Sequence, residues 1–187
     1  MTTTWDDWSP GEIIKEFTKD APVDVVGLAE ALGLRVSKQP LKNISGMLIP
    51  DPQNGGRAGY SIHINADDAP TRQRFTTAHE IAHFLLHRNK DIREFRDDIK
   101  YRSPGITNDM EAQANRLAAD ILMPRKLIRQ LLDEGIMDPD EMAAKLGVSP
   151  RAMEIRLGLN ARKSPEGANR LSPSKGKQLS ESFIGNE

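Results

Sequence analysis

Arg74-Phe-Thr-Thr-Ala-His79-Glu80-Ile-Ala-His83-Phe-Leu-Leu-His87 is the stretch on which the reading of this chain turns. It contains the pattern H-E-x-x-H. Residues four apart in a helix lie one turn above each other on the same face. His79 and His83 can therefore direct both imidazoles at a single metal ion. Glu80 sits beside that face, placed to reach an activated water without being a ligand. Two ligands and a general base from one helical turn make the layout of a metal-dependent peptidase. No Gly or Pro interrupts residues 71–88, and Ile81, Phe84 and Leu85 add an apolar stripe, so the spacing predicts a helix there. The competing reading is an amphipathic core helix with partly exposed histidines.

A catalytic zinc needs a third protein ligand and one open position for water. The candidate lies in Asp109-Met-Glu111-Ala-Gln-Ala114-Asn-Arg-Leu117-Ala118-Ala-Asp-Ile121-Leu-Met-Pro124. This reads as a second helix over 109–122, with Asn108 or Asp109 as N-cap and Pro124 ending it. Ala114, Leu117, Ala118 and Ile121 form its buried side, and Glu111 falls on that side one turn earlier. A carboxylate on a buried face is costly unless paired or bound to metal, so Glu111 is the expected third ligand. Without the histidine motif it would read as a first-turn acid complementing the helix dipole.

"RFTTAHEIAHFLLH" followed by "EAQANRLAADILMP" resembles the ImmA/IrrE family of bacterial and phage metallopeptidases. The resemblance is close over residues 70–124 and looser over about 23–159. It implies zinc ligation by His79, His83 and Glu111, with Glu80 as catalytic base, in a minimal gluzincin-like core. It further implies a substrate: a helix-turn-helix repressor of the XRE type, whose cleavage switches on prophage, mobile-element or stress-response genes. The metal expected is Zn²⁺, with Mn²⁺ accepted by the same donors at a different affinity.

Composition narrows the alternatives. A formal net charge of -1 offers no global attraction to nucleic acid or anionic membrane. With no cysteine, disulfides, thiolate ligands and a cysteine nucleophile are excluded, which suits a cytoplasmic location. The first eleven residues lack a basic and then apolar signal-peptide pattern, and no apolar run is long enough to span a bilayer. Neither membrane nor direct nucleic-acid partners are expected, and the sequence is silent on oligomeric state.

Ser9-Pro10 opens one expected helix, and Asp24 opens another that stops at Gly33. Three strand-like runs follow, over 34–37, 44–49 and 57–65. Gln53-Asn54-Gly55-Gly56 is a turn signal that pairs the last two as a hairpin. In the third run Tyr60, Ile62 and Ile64 alternate with Ser61, His63 and Asn65, as in a half-buried strand. The likeness to gluzincins makes Tyr60, Ser61, Ile62 and His63 a candidate sheet edge on which an extended substrate could add as a strand. His63 itself reads as a solvated residue. His87 lies about 12 Å along the helix from His79, too far to ligate with it, and is expected to make a supporting hydrogen bond. Residues 88–108 read as a loop, from which Tyr101 or Arg102 is a candidate oxyanion donor.

Beyond Pro124, one helix is expected to end at Gly135. Then residues 138–157 have a helix-turn-helix cadence, with Gly147-Val148-Ser149 as the turn. Only Arg151 and Arg156 would face a phosphate backbone, a thin footprint for DNA. The expected architecture is therefore α+β. It comprises a metallopeptidase core over 1–124 with a three-stranded, mostly antiparallel sheet packed on helices. A helix-turn-helix-like segment over 125–159 and a disordered tail over 160–187 complete it. The function expected is zinc-dependent endopeptidase; the alternative is a DNA-binding or metal-sensing regulator, or a toxin–antitoxin component with a non-proteolytic metal site.

Overall fold

A computed structural model describes residues 5, 7–88, 95–96 and 107–159 of the chain; the expected tail and the candidate donors Tyr101 and Arg102 lie outside them. The order of elements is α1 (Pro10–Phe17), α2 (Val25–Ala31), β1 (Leu34–Gln39), β2 (Gly46–Pro50), β3 (Tyr60–Asn65), α3 (Pro70–His87), β4 (Phe95–Arg96), α4 (Asn108–Leu122), α5 (Arg125–Asp133), α6 (Pro139–Leu146) and α7 (Pro150–Arg156). The fold is α+β.

Local chemistry sets most of these boundaries. Ser9 and Glu12 form a reciprocal capping box at α1, and Asp24 caps α2 through the Gly27 amide. Thr107 caps α4 by accepting from the Met110 amide, one residue earlier than the sequence suggests. Asp138 and Ser149 cap α6 and α7, each with Pro at the first helical position.

The sheet is mixed, in the order β1-β3-β2-β4. β2 and β3 pair antiparallel, Leu48 opposite Ile62, as the turn signal between them requires. β1 runs parallel to β3, with Val36 opposite Ile62. That topology overturns one expectation. Tyr60, Ser61, Ile62 and His63 belong to an interior strand hydrogen-bonded on both sides, not to a free edge, so no substrate can add there. The cause is the connection between β1 and β2, which crosses the end of β3 and leaves a slot that β3 fills. Asn65 pins this crossover: its amide nitrogen donates to the carbonyls of Leu41 and Ile44, and its oxygen accepts from the Leu41 amide. A fourth strand, β4, pairs antiparallel with β2 in a region read from sequence as loop. Two residues are too few to show a period.

The alternation along β3 holds with one exception. Ile62 and Ile64 are fully buried, but so is Ser61, whose hydroxyl donates to the Asp51 carboxylate at 2.8 Å. His63 accepts or donates at Nδ1 with Ser37 Oγ, 2.7 Å away, and plays no part in the histidine cluster.

α3 is the central element. Every residue from Thr76 to Phe84 is buried, because β2 and β3 cover one side, α4 another and α2 a third. Gly46 at the start of β2 permits this closeness: a Cβ there would collide with the Thr76 side chain. α4 lies along α3 on Ala114 and Ala118, both fully buried, and small side chains let the two backbones approach. Arg74 ties the far elements to α3, donating to the carbonyls of Val23 at 2.9 Å and Gly147 at 3.0 Å. Arg156 does the same for α7, bridging Asp120 at 2.7 Å and the Met123 carbonyl at 3.1 Å. The buried apolar residues of 125–159, among them Leu127, Met142, Leu146 and Met153, are in one cluster with those of the sheet and α3. No helix among the described residues is long and apolar enough to cross a membrane.

Candidate metal centre

His79 and His83 project from one face of α3, and their Nε2 atoms approach to 2.9 Å. From α4, Glu111 presents one carboxylate oxygen 3.4 Å from His79 Nε2 and the other 3.4 Å from His83 Nε2. Both histidines are nearly inaccessible, while the Glu111 side chain keeps about 15% exposure. The two imidazoles are therefore enclosed, and Glu111 is the most exposed of the three donors. Glu80 follows His79 on the helix and is fully buried.

The donors suit a divalent cation. Ligand atoms around a tetrahedral zinc, with bonds of about 2.0–2.2 Å, are spaced by about 3.3–3.5 Å. Two of the three separations match that, and the third is somewhat shorter. Two imidazole nitrogens 2.9 Å apart can share only one proton, so the pair is a better cage for a cation than a hydrogen-bonded couple. Glu111 Oε1 is buried, with His83 Nε2 3.4 Å away. A buried carboxylate oxygen in that position is stabilised by a cation.

Electrostatics points the same way. Burial lowers the basicity of His83, and the neighbouring His79 and His87 rings lower it further, against the opposing pull of Glu111. The neutral imidazole, the form that ligates, is favoured. For Glu111, burial alone would raise the pKa; the hydrogen-bonding and charge of His79 and His83 outweigh it and hold the carboxyl well below its ordinary range. Glu111 is thus poised as a carboxylate.

Two supporting contacts complete the centre. His87, buried one turn beyond His83, places Nε2 3.3 Å from the Met110 carbonyl, the residue before Glu111. This contact fixes the first turn of α4 against α3. On the other side of the site the Phe75 ring stacks on His79, with centroids 6.1 Å apart and planes at 27°. Sequence reasoning passed over Phe75, although its place four residues before His79 puts it on the same face.

A His-His-carboxylate cluster on two neighbouring helices, with a buried Glu after the first His, defines the class of H-E-x-x-H metal-site proteins. Within that class the chain belongs to the peptidase family of IrrE N-terminal-like domains, whose family model matches residues 29–158. It is similar to the radiation response metalloprotease IrrE of Deinococcus deserti, 41% identical over 73 residues, covering 39% of this chain and 26% of that protein. The IrrE of Deinococcus radiodurans is 39% identical over 72 residues, 38% of this chain and 22% of its own length. The matched stretch thus spans about a quarter of these relatives.

Proposed function

We propose that this protein is a zinc-dependent endopeptidase in which His79, His83 and Glu111 hold the metal and Glu80 is the general base. The observation that carries this reading is the convergence of those three donors beside a buried Glu80. When bound, the zinc supplies Lewis-acid activation of water and of the scissile carbonyl. Glu80 removes a proton from the attacking water as its oxygen joins the carbonyl carbon. It then delivers that proton to the amide nitrogen as the C–N bond breaks. A structural metal alone would give no role to Glu80.

The substrate in this proposal is an XRE-type helix-turn-helix repressor, cleaved at one site to release prophage, mobile-element or stress genes. It rests on the resemblance to the ImmA/IrrE family. The α6–α7 pair serves as an accessory to the core rather than as a DNA reader: Arg156 is committed to Asp120 and the Met123 carbonyl, which leaves Arg151 alone among its arginines to meet a phosphate backbone, a thin footprint for DNA. The test is incubation with the repressor-like protein encoded beside this gene, with Zn²⁺ or Mn²⁺, read by intact mass. A single cut by the parent and none by Glu80→Gln is expected. Uncut repressor in the presence of stoichiometric metal would overturn the substrate assignment.

A further inference from the structure

A groove with a cavity volume of about 380 Å³ runs between the first turns of α3, the end of α4 and α7. Hydrocarbon from Phe75, Met123, Ala152 and Ile155 lines it, and Arg72 and Arg151 stand at its sides. Ile155 is 62% exposed, a large apolar side chain left facing solvent on the groove wall. Burying it against a partner would be favourable. Arg151 is more than half exposed, and its 3.4 Å contact with Glu154 is of the weak surface kind, so it can serve an incoming charge.

The groove adjoins the candidate metal centre at one residue. Phe75 belongs to both: its ring lines the groove and stacks on His79. An extended chain advances by about 3.3–3.6 Å per residue, so the 6.1 Å between the Phe75 and His79 rings is the reach of about two residues. We propose that this groove is a recognition site for the protein substrate, taking an apolar side chain next to an acidic one. The apolar anchor fills the space between Phe75, Met123 and Ile155, and the acidic neighbour meets Arg151. This inference rests on the endopeptidase reading for the identity of its occupant, but binding in the groove needs no cleavage.

The experiment uses the full chain carrying Glu80→Gln and loaded with Zn²⁺, so that nothing is cut. The probes are two short fluorescein-labelled peptides, one with a Leu pair flanked by Glu and one with Lys in place of Glu, followed by anisotropy. The Glu peptide is expected to bind about ten-fold more tightly, and Arg151→Glu to reverse that order, as charge complementarity at an interface dictates. Ile155→Asp, at an exposed position that leaves the fold intact, is expected to weaken the Glu peptide by about ten-fold or more. Equal binding of both peptides, or binding indifferent to both variants, overturns the proposal. Binding that appears only when residues 160–187 are removed assigns the groove to the chain's own tail and overturns it too. So does a dimer in sedimentation that Ile155→Asp dissolves. Binding as expected with no cleavage by the Glu80-containing protein would instead contradict the endopeptidase reading and leave the groove standing.

Discussion

The Nε2 atoms of His79 and His83 lie 2.9 Å apart at the buried heart of α3, closer than two ring nitrogens rest without a shared proton or a shared cation. Removing either ring should therefore remove the cation. His83→Ala is expected to abolish stoichiometric zinc binding, and Glu111→Gln to weaken it by about 10-fold or more, the scale on which changes around metal sites are felt. Competition with a chromogenic chelator measures both. Zinc retained at parental affinity by His83→Ala would remove His83 from the ligand set.

His87 supports the candidate metal site through α4. Its contact with the Met110 carbonyl sets the first turn of the helix that carries Glu111. His87→Leu should keep the fold but lower zinc affinity by about 10-fold, whereas His87→Gln, which can still donate to that carbonyl, should lose less. The ordering of the two variants is the test; equal losses would mean that packing alone matters at this position.

Acid should destabilise the metal-free protein. His83 has its pKa lowered by burial, so the unfolded chain takes up a proton on this group near pH 6.5 while the folded chain does not. Stability is then full above that pH and falls as pH drops through the window below it. Glu111 is also held low, so it adds a second loss beginning near the ordinary carboxylate pKa of about 4.5, in the same direction. Thermal melts of the chelator-treated protein from pH 7.5 downward should show Tm falling from about 6.5, and added zinc should displace that fall to lower pH. A flat profile would contradict the protonation states assigned to the site.

Gly147 and Arg74 form one unit of the scaffold. Gly147 ends α6 in the left-handed region at φ 65°, and a Cβ there would come within 2.9 Å of Arg74 Nε. Gly147→Ala is expected to cost about 1–2 kcal/mol from the backbone alone. Arg74→Met, which strands the half-buried carbonyls of Val23 and Gly147, is expected to cost about 2–4 kcal/mol. Because they share contacts, the double variant should lose less than the sum. Denaturant titration of the three proteins decides it; strict additivity would sink the coupling.

The convergence of His79, His83 and Glu111 was legible because helical spacing is local and rigid. His79 and His83 one turn apart, and Glu111 on the alanine side of the next helix, needed only the 3.6-residue period. What was not legible is non-local. The position of β3 between β1 and β2 depends on how residues 40–45 cross, which Asn65 enforces from a distance and no alternation pattern announces. Ser61 is buried on the supposed polar face only because Asp51 lies across the hairpin. β4 is two residues long and carries no period. Phase and spacing read helices well; strand order is a property of the whole sheet.

The most direct test of the account is a cleavage assay against an unbiased mixture of peptides, using zinc-loaded parent and zinc-loaded Glu80→Gln at matched metal content. The account predicts new termini from the parent and a loss of about 10²- to 10⁴-fold in the variant, the worth of a positioned general base. Equal cleavage by both proteins would contradict it.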